Sequence, residues 1–200
     1  MSSDVISSFI NPDVADPNGL AVAGNPGAGA ITLNGALVTA GVGTMDVPRN
    51  VTVTSGLDIN ARTFTFTGTD ELGNPQSEVL TGINANTVLG SRVFKTVTGV
   101  VATGAASGNL TIGSGSTIAA PMHGNRMRLR GIYAVNTANA GVITFREVSA
   151  TGAIKMQFGT VGDATSSEYP DVPDDGILFR ERGFVTYELA QMANLTVFFN

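Results

Sequence analysis

Two stretches of the chain alternate strictly between polar and apolar residues. Asn50-Val-Thr-Val-Thr54 and Thr63-Phe-Thr-Phe-Thr67 set their apolar residues, Val51 and Val53 or Phe64 and Phe66, two positions apart. Residues two apart on a strand share a face, so both stretches predict strands with threonines on the opposite face. Ile31–Leu33, Asn34-Gly35 and Ala36–Thr39 predict a hairpin with a type I′ turn, because Asn-Gly accepts positive φ at little cost. Asp70–Pro75 reads as a turn, with Gln76–Thr81 returning as a partner strand. Arg92–Thr103 is a long β-branched run, followed by the loop Gly104–Gly108 and a short strand at Asn109–Ile112. Further strands are predicted at Arg126–Val135, Val142–Val148, Ile154–Phe158, Gly176–Phe179, Phe184–Leu189 and Leu195–Phe199. Only Tyr187–Met192 has a helical flavour. Turn residues recur about every 8–12 positions, the spacing of a sandwich or barrel.

The fold class expected is therefore all-β, as two β-sandwich or jelly-roll-like domains with an extended N-terminal arm. Residues 1–29 are expected to form the arm. Pro12, Pro17, Pro26 and the run Ala23–Ala30 break regular structure there, while Val5, Ile6, Phe9 and Ile10 give it apolar residues. An arm of this kind either docks on a neighbour, with Phe9 and Ile10 as inter-subunit contacts, or stays loose. Small, polar, uncharged Gly113-Ser-Gly-Ser-Thr117 reads as a linker between an N-terminal domain, 30–115, and a C-terminal domain, 120–200. Within the second domain, Val161–Asp175 reads as a long acidic loop.

Composition narrows the function. The 200 residues include 25 glycines without a three-residue period, which excludes collagen. Charged residues are 14% of the chain, against about 25% in an average protein, so the expected surface is polar but not ionic. The net charge of −5 argues against nucleic acid as a partner, since phosphate binding needs a clustered positive field. There is no cysteine, so disulfides and thiolate metal sites are excluded and packing or oligomerisation must hold the molecule together. The N-terminal residues lack the basic start and apolar core of a signal peptide, and no apolar window is long enough for a membrane helix. Synthesis in a cytoplasm and no membrane partner are the expectations.

Little in the chain resembles catalytic machinery. His123 is the lone histidine and sits beside Gly124, a setting that reads as surface rather than as half of an acid–base pair. No glycine run continues into the Gly-Lys-Ser/Thr of a phosphate loop. Glu168, Asp171, Asp174 and Asp175 offer oxygen ligands for a hard cation, but without the spacing of a calcium loop they read as a solvated turn. Carboxylate pairs for sugar hydrolysis usually work beside aromatic platforms, and here there is no Trp and only three Tyr. No enzyme activity, cofactor or metal is expected.

Arg126, Arg128 and Arg130 are the most pointed feature. In a strand they form one cationic stripe, with Met127, Leu129 and, after a shift at Gly131, Tyr133 on the core side. Such a stripe either pairs with carboxylates of a neighbouring subunit or stands as a solvated edge that discourages aggregation.

The stretch from Arg49 to Leu57, followed by TFTFTGTDELGNPQSEVLTGINANTVLGSRVFKTVTGVVATG (63–104), resembles a module of tailed-bacteriophage virion proteins. The likeness rests on an Asn-Val-Thr-Val strand, a Thr-Gly-Thr-Asp turn, a Gly-Asn-x-x-Ser-Glu segment and a Phe-Lys-Thr-Val strand, in that order. Residues 131–158, 174–179 and 194–199 resemble small β-rich phage head or tail proteins. The resemblance implies a structural virion role and carries no catalytic residues. The leading expectation is a capsid decoration (cement) protein, a homo-oligomer with a trimer favoured, on the exterior of the major capsid protein lattice. A tail, neck or head-fibre component is the alternative, and a receptor- or glycan-binding β-sandwich a more distant one.

Overall fold

The structure is a computed structural model that describes residues 4–106, 108–122, 124 and 126–200. Its secondary structure is all-β. The strands are β1 (Ile6–Ile10), β2 (Ala21–Gly24), β3 (Gly29–Ile31), β4 (Val38–Thr39), β5 (Val42–Ser55) and β6 (Thr63–Thr69). They continue with β7 (Pro75–Thr81), β8 (Thr87–Ala102), β9 (Leu110–Pro121), β10 (Met127–Asn136) and β11 (Ala140–Glu147). The last are β12 (Ile154–Val161), β13 (Ser167–Glu168), β14 (Ile177–Phe179), β15 (Gly183–Glu188) and β16 (Met192–Phe199). The chain divides into two compact units, one formed by Val14–Ser116 and the other by Met1–Asp13 together with Thr117–Asn200.

The Val14–Ser116 unit is built around β8. Its first part pairs antiparallel with β5, from Thr54 opposite Thr87 to Gly43 opposite Val97. Its last part pairs with β6, which in turn pairs with β7. The predicted alternation holds in β6: Phe64 and Phe66 are fully buried, with Phe66 6.5 Å from Phe94, and the intervening threonines lie on the other face. In β5 the alternation fails, because Arg49, Asn50 and Thr52 are buried as well as Val51 and Val53. Two of these polar residues have built-in partners. Arg49 is bound by Asp46, and the Asn50 amide donates to the Gly90 carbonyl at 3.2 Å. A strand covered on both faces needs such partners, since an unpaired buried polar group costs about 1–3 kcal/mol.

Three expectations are corrected by the structure. The positive-φ hairpin turn lies at Ala40-Gly41 (φ 51° and 80°), between β4 and β5, and not at Asn34-Gly35. Asn34 and Gly35 serve packing instead. Both backbone N–H groups donate to the Leu20 carbonyl, the Asn34 side chain accepts from Val22 N–H, and a Cβ on Gly35 would stand 2.2 Å from the Gly19 carbonyl oxygen. Gly113–Thr117 is no linker but the middle of β9, and Gly113, Ser114 and Gly115 are buried. A Cβ on Gly113 would lie 2.0 Å from the Asp16 carbonyl oxygen, and one on Gly115 2.3 Å from the Asn50 side chain. Glycine here permits close approach of neighbouring chain, not flexibility. Residues 1–29 are likewise not one extended arm. They contain β1 and β2 and the first residue of β3, and Leu20 and Ala21 belong to the core of this unit.

The other unit contains two groups of strands. In one, β16 lies between β1 and β10, while β13 and β14 pair with different parts of the far edge of β10. In the other, β11 lies between β12 and β15, and β15 pairs with Thr117–Pro121 of β9. Leu195, Val197 and Phe199 of β16, and Phe145, Phe184 and Tyr187 of the second group, are buried. The segment with helical flavour, 187–192, is not helical: it is the end of β15, the turn 189–191 and the first residue of β16, with Gln191 N–H donating to the Glu188 carbonyl at 2.9 Å. The acidic loop 161–175 contains the short strand β13.

Candidate interaction surface

The arginine stripe lies on β10. Met127 and Leu129 are buried and Arg128 and Arg130 exposed, as period-two alternation requires. Leu129 faces Phe199 and Gly131 faces Phe198, so Arg130 is an extra residue, a β-bulge that reverses the phase of the strand. Beyond the bulge Ile132 and Ala134 turn inward. Tyr133, expected in the core, is therefore half-buried on the outer face with the arginines. The bulge that sequence reasoning placed at Gly131 is present, but its consequence for Tyr133 is the opposite of the expected one.

The arginines are engaged within the chain. Arg128 and Arg130 each donate through Nη1, to the carbonyl oxygens of Asp175 (2.9 Å) and Asp174 (2.8 Å). They hold the turn Pro173–Gly176, closed by Gly176 N–H on the Pro173 carbonyl, against β10. Gly176 has φ 72°, and a Cβ there would meet the Leu129 carbonyl oxygen at 2.7 Å, so the turn requires glycine twice over. Arg126 is exposed just before the strand. Backbone carbonyls rather than carboxylates thus receive the two strand arginines.

An aromatic band continues this face. Tyr133 packs on Tyr169 with ring centroids 4.7 Å apart and planes at 33°. Thr196 of β16 stands between Tyr133 and Phe9 of β1, being the register partner of both. Phe198, half-buried, lies over Gly131, where a Cβ would be 3.5 Å from its ring. Phe9 is 63% exposed and Tyr169 72%. Ile10, paired with Phe9 in the sequence expectation as a contact residue, is buried beneath the sheet. Of the two, only Phe9 faces outward. The grouping of Phe9, Tyr133, Tyr169 and Phe198 was not legible in the chain, because the four residues are far apart and meet only through strand register.

Glu168 is employed within the fold, accepting hydrogen bonds from Val161 N–H at 2.9 Å and from the Asn136 amide at 3.0 Å. Among the described residues no group of three or more His, Asp or Glu gathers to hold a metal. His123 lies outside the described residues. Glu147 accepts from the backbone N–H groups of Arg180 and Glu181 and forms an ion pair with Lys155 at 3.4 Å. The Arg180 N–H, opposed by partial desolvation and aided by Glu181 N–H and Lys155, holds the Glu147 carboxyl below the usual carboxylate range. Asp163, by accepting from Thr165 N–H and Oγ1, is likewise held low. These carboxylates fasten loops.

One shallow hollow of about 310 Å³ lies beside Glu188, Gln191, Thr117 and Thr186, and another of about 340 Å³ between β2 and β3. No protein-family model, curated protein or solved structure matches the chain.

Proposed function

We propose that the protein is a non-enzymatic structural component of a tailed-bacteriophage particle, and specifically a capsid decoration protein that bridges subunits of the major capsid protein. The observation that carries this reading is one sheet face on which exposed Phe9, Arg128 and Arg130 lie with half-buried Tyr133 and the exposed Tyr169 packed on it. Aromatic residues and arginine are the types enriched at the centre of protein–protein interfaces. The resemblance of 49–57 and 63–104 to phage virion modules supports the same reading, as does a chain in which the charged groups described above fasten loops. Each unit is taken as a sandwich-like fold, a shape suited to contact over a broad surface. A decoration protein acts through contact area, repeated over a lattice so that modest individual contacts sum to a large total.

The test is the copy number per purified virion, measured by quantitative mass spectrometry against the major capsid protein. A ratio near one, or near a simple fraction set by the lattice, supports decoration. About a dozen copies would move the protein to the tail or neck, and absence from the particle would overturn the structural role.

A further inference from the structure

Strand β1 has one partner, β16, and its other edge is free among the described residues. Exposed strand edges are normally protected by charge, proline, an inward-pointing charge or brevity. Among the described residues, other edge strands follow that rule. Strand β7 begins at Pro75 and turns Glu78 inward, and β12 carries Lys155. Strands β13 and β14 are two and three residues long. The Val22 N–H of β2 is occupied by Asn34. Strand β1 has no such device. Its sequence, Ile6-Ser-Ser-Phe-Ile10, is uncharged and free of proline, and Val5, Ile6 and Phe9 are more than half exposed.

The same five residues are nearly palindromic in chemistry. Antiparallel pairing of two copies about a two-fold axis at Ser8 sets Ile6 opposite Ile10, Ser8 opposite Ser8, and Ser7 opposite Phe9. On the outer face, Ser7 lies beside Phe198 of its own chain. Phe9 of the second copy therefore enters a row in which small Ser7 leaves a notch bordered by the Phe198 ring. The exposed Phe9 on each chain and the notch on the other form a reciprocal fit, as an isologous contact demands. On the inner face the exposed Ile6 meets the isoleucine at position 10 of the other copy.

We propose that β1 is a self-recognition edge: two copies of this chain pair through Ile6–Ile10 and join their sheets into one. This contact does not depend on the phage assignment, and a foreign strand is disfavoured because the register that buries Ile6 and Phe9 is supplied by the segment itself.

The test uses the full chain, which contains no native cysteine. Light scattering on the purified protein is expected to give twice the 20.5 kDa chain mass, and Phe9→Lys is expected to halve it. In the proposed register the Ser8 Cα atoms are about 4.5–5.5 Å apart, within disulfide reach. Ser8→Cys should therefore form a covalent dimer under mild oxidation, whereas Val79→Cys, exposed on β7, should not. A monomer, a trimer, or a dimer in which Ser8→Cys cross-links no better than Val79→Cys would overturn the proposal. Because Ser8→Cys is nearly isosteric, a negative result cannot be put down to misfolding.

Discussion

Arg49 clasps Asp46, three residues earlier in the same strand, through two hydrogen bonds of 2.7 Å from Nε and Nη2. Its side chain is 2% exposed and that of Asp46 28%, so the pair sits at the rim of the core with the arginine inside. The clasp spans an irregular step in β5, where the register with β8 jumps between Thr44 and Arg49, and Lys95 adds a hydrogen bond of 3.0 Å to the Asp46 carbonyl. Removing the carboxylate strands a buried cation. Asp46→Ala is therefore expected to lower stability by on the order of 3 kcal/mol, read from the midpoint of urea denaturation. Arg49→Lys should lose much of the same energy, since an ammonium cannot reproduce the two-pronged geometry.

Gly113 and Gly115 offer a test in which the sign of the effect matters. In a flexible linker, replacement by Ala would stabilise the protein by about 0.4–1 kcal/mol through the unfolded chain. Inside β9 the added methyl group collides with the Asp16 backbone or the Asn50 side chain. Each substitution is expected to destabilise by about 1–3 kcal/mol, as a lowered melting temperature. An unchanged or raised value would restore the linker.

Ala40 occupies the left-handed region at φ 51°, a conformation that costs a residue with a Cβ roughly 1–2 kcal/mol. Ala40→Gly or Ala40→Asn should stabilise the β4–β5 turn by about 0.5–1 kcal/mol. Gly41→Ala should act in the opposite direction. Equilibrium denaturation of the three variants distinguishes this turn from one at Asn34-Gly35.

Glu147 links stability to pH. Its carboxyl is held low in the folded state by the Arg180 and Glu181 N–H groups and by Lys155. A depressed folded pKa contributes stability that is fully present above the unfolded value of about 4.3 and is lost as pH falls through the folded one. The melting temperature should therefore decline as pH drops below about 4.3, and Glu147→Gln should flatten that decline while lowering stability at neutral pH. A variant with the same acid slope as the parent would assign the loss to other carboxylates.

Arg128 and Arg130 hold the loop that ends at Gly176 through its backbone. Replacing both with Ala should leave global stability within about 1–2 kcal/mol, the value of two exposed hydrogen bonds. Amide exchange in residues 170–176 should speed up selectively. Uniform acceleration throughout the chain would mean that the arginines support the fold itself.

The amino-acid sequence by itself determined the all-β character and most of the strands. Period-two patterning in 50–54, 63–67 and 126–130, and the Asp70–Pro75 turn, are local signals, and the backbone follows them directly. Elsewhere the same residue types carried two meanings that only long-range contacts separate. Glycine and serine at 113–116 look like a linker until Asp16 and Asn50 are brought against them, and Asn34-Gly35 looks like a hairpin turn until Gly19 and Leu20 occupy the space beside it. Tertiary structure also decided which side of the sheet Tyr133 takes, because one bulged residue inverts every side chain after it. The aromatic band and the pairing of β1 with β16 arise from register between segments distant in the chain, and spatial adjacency of that kind leaves no trace in local periodicity.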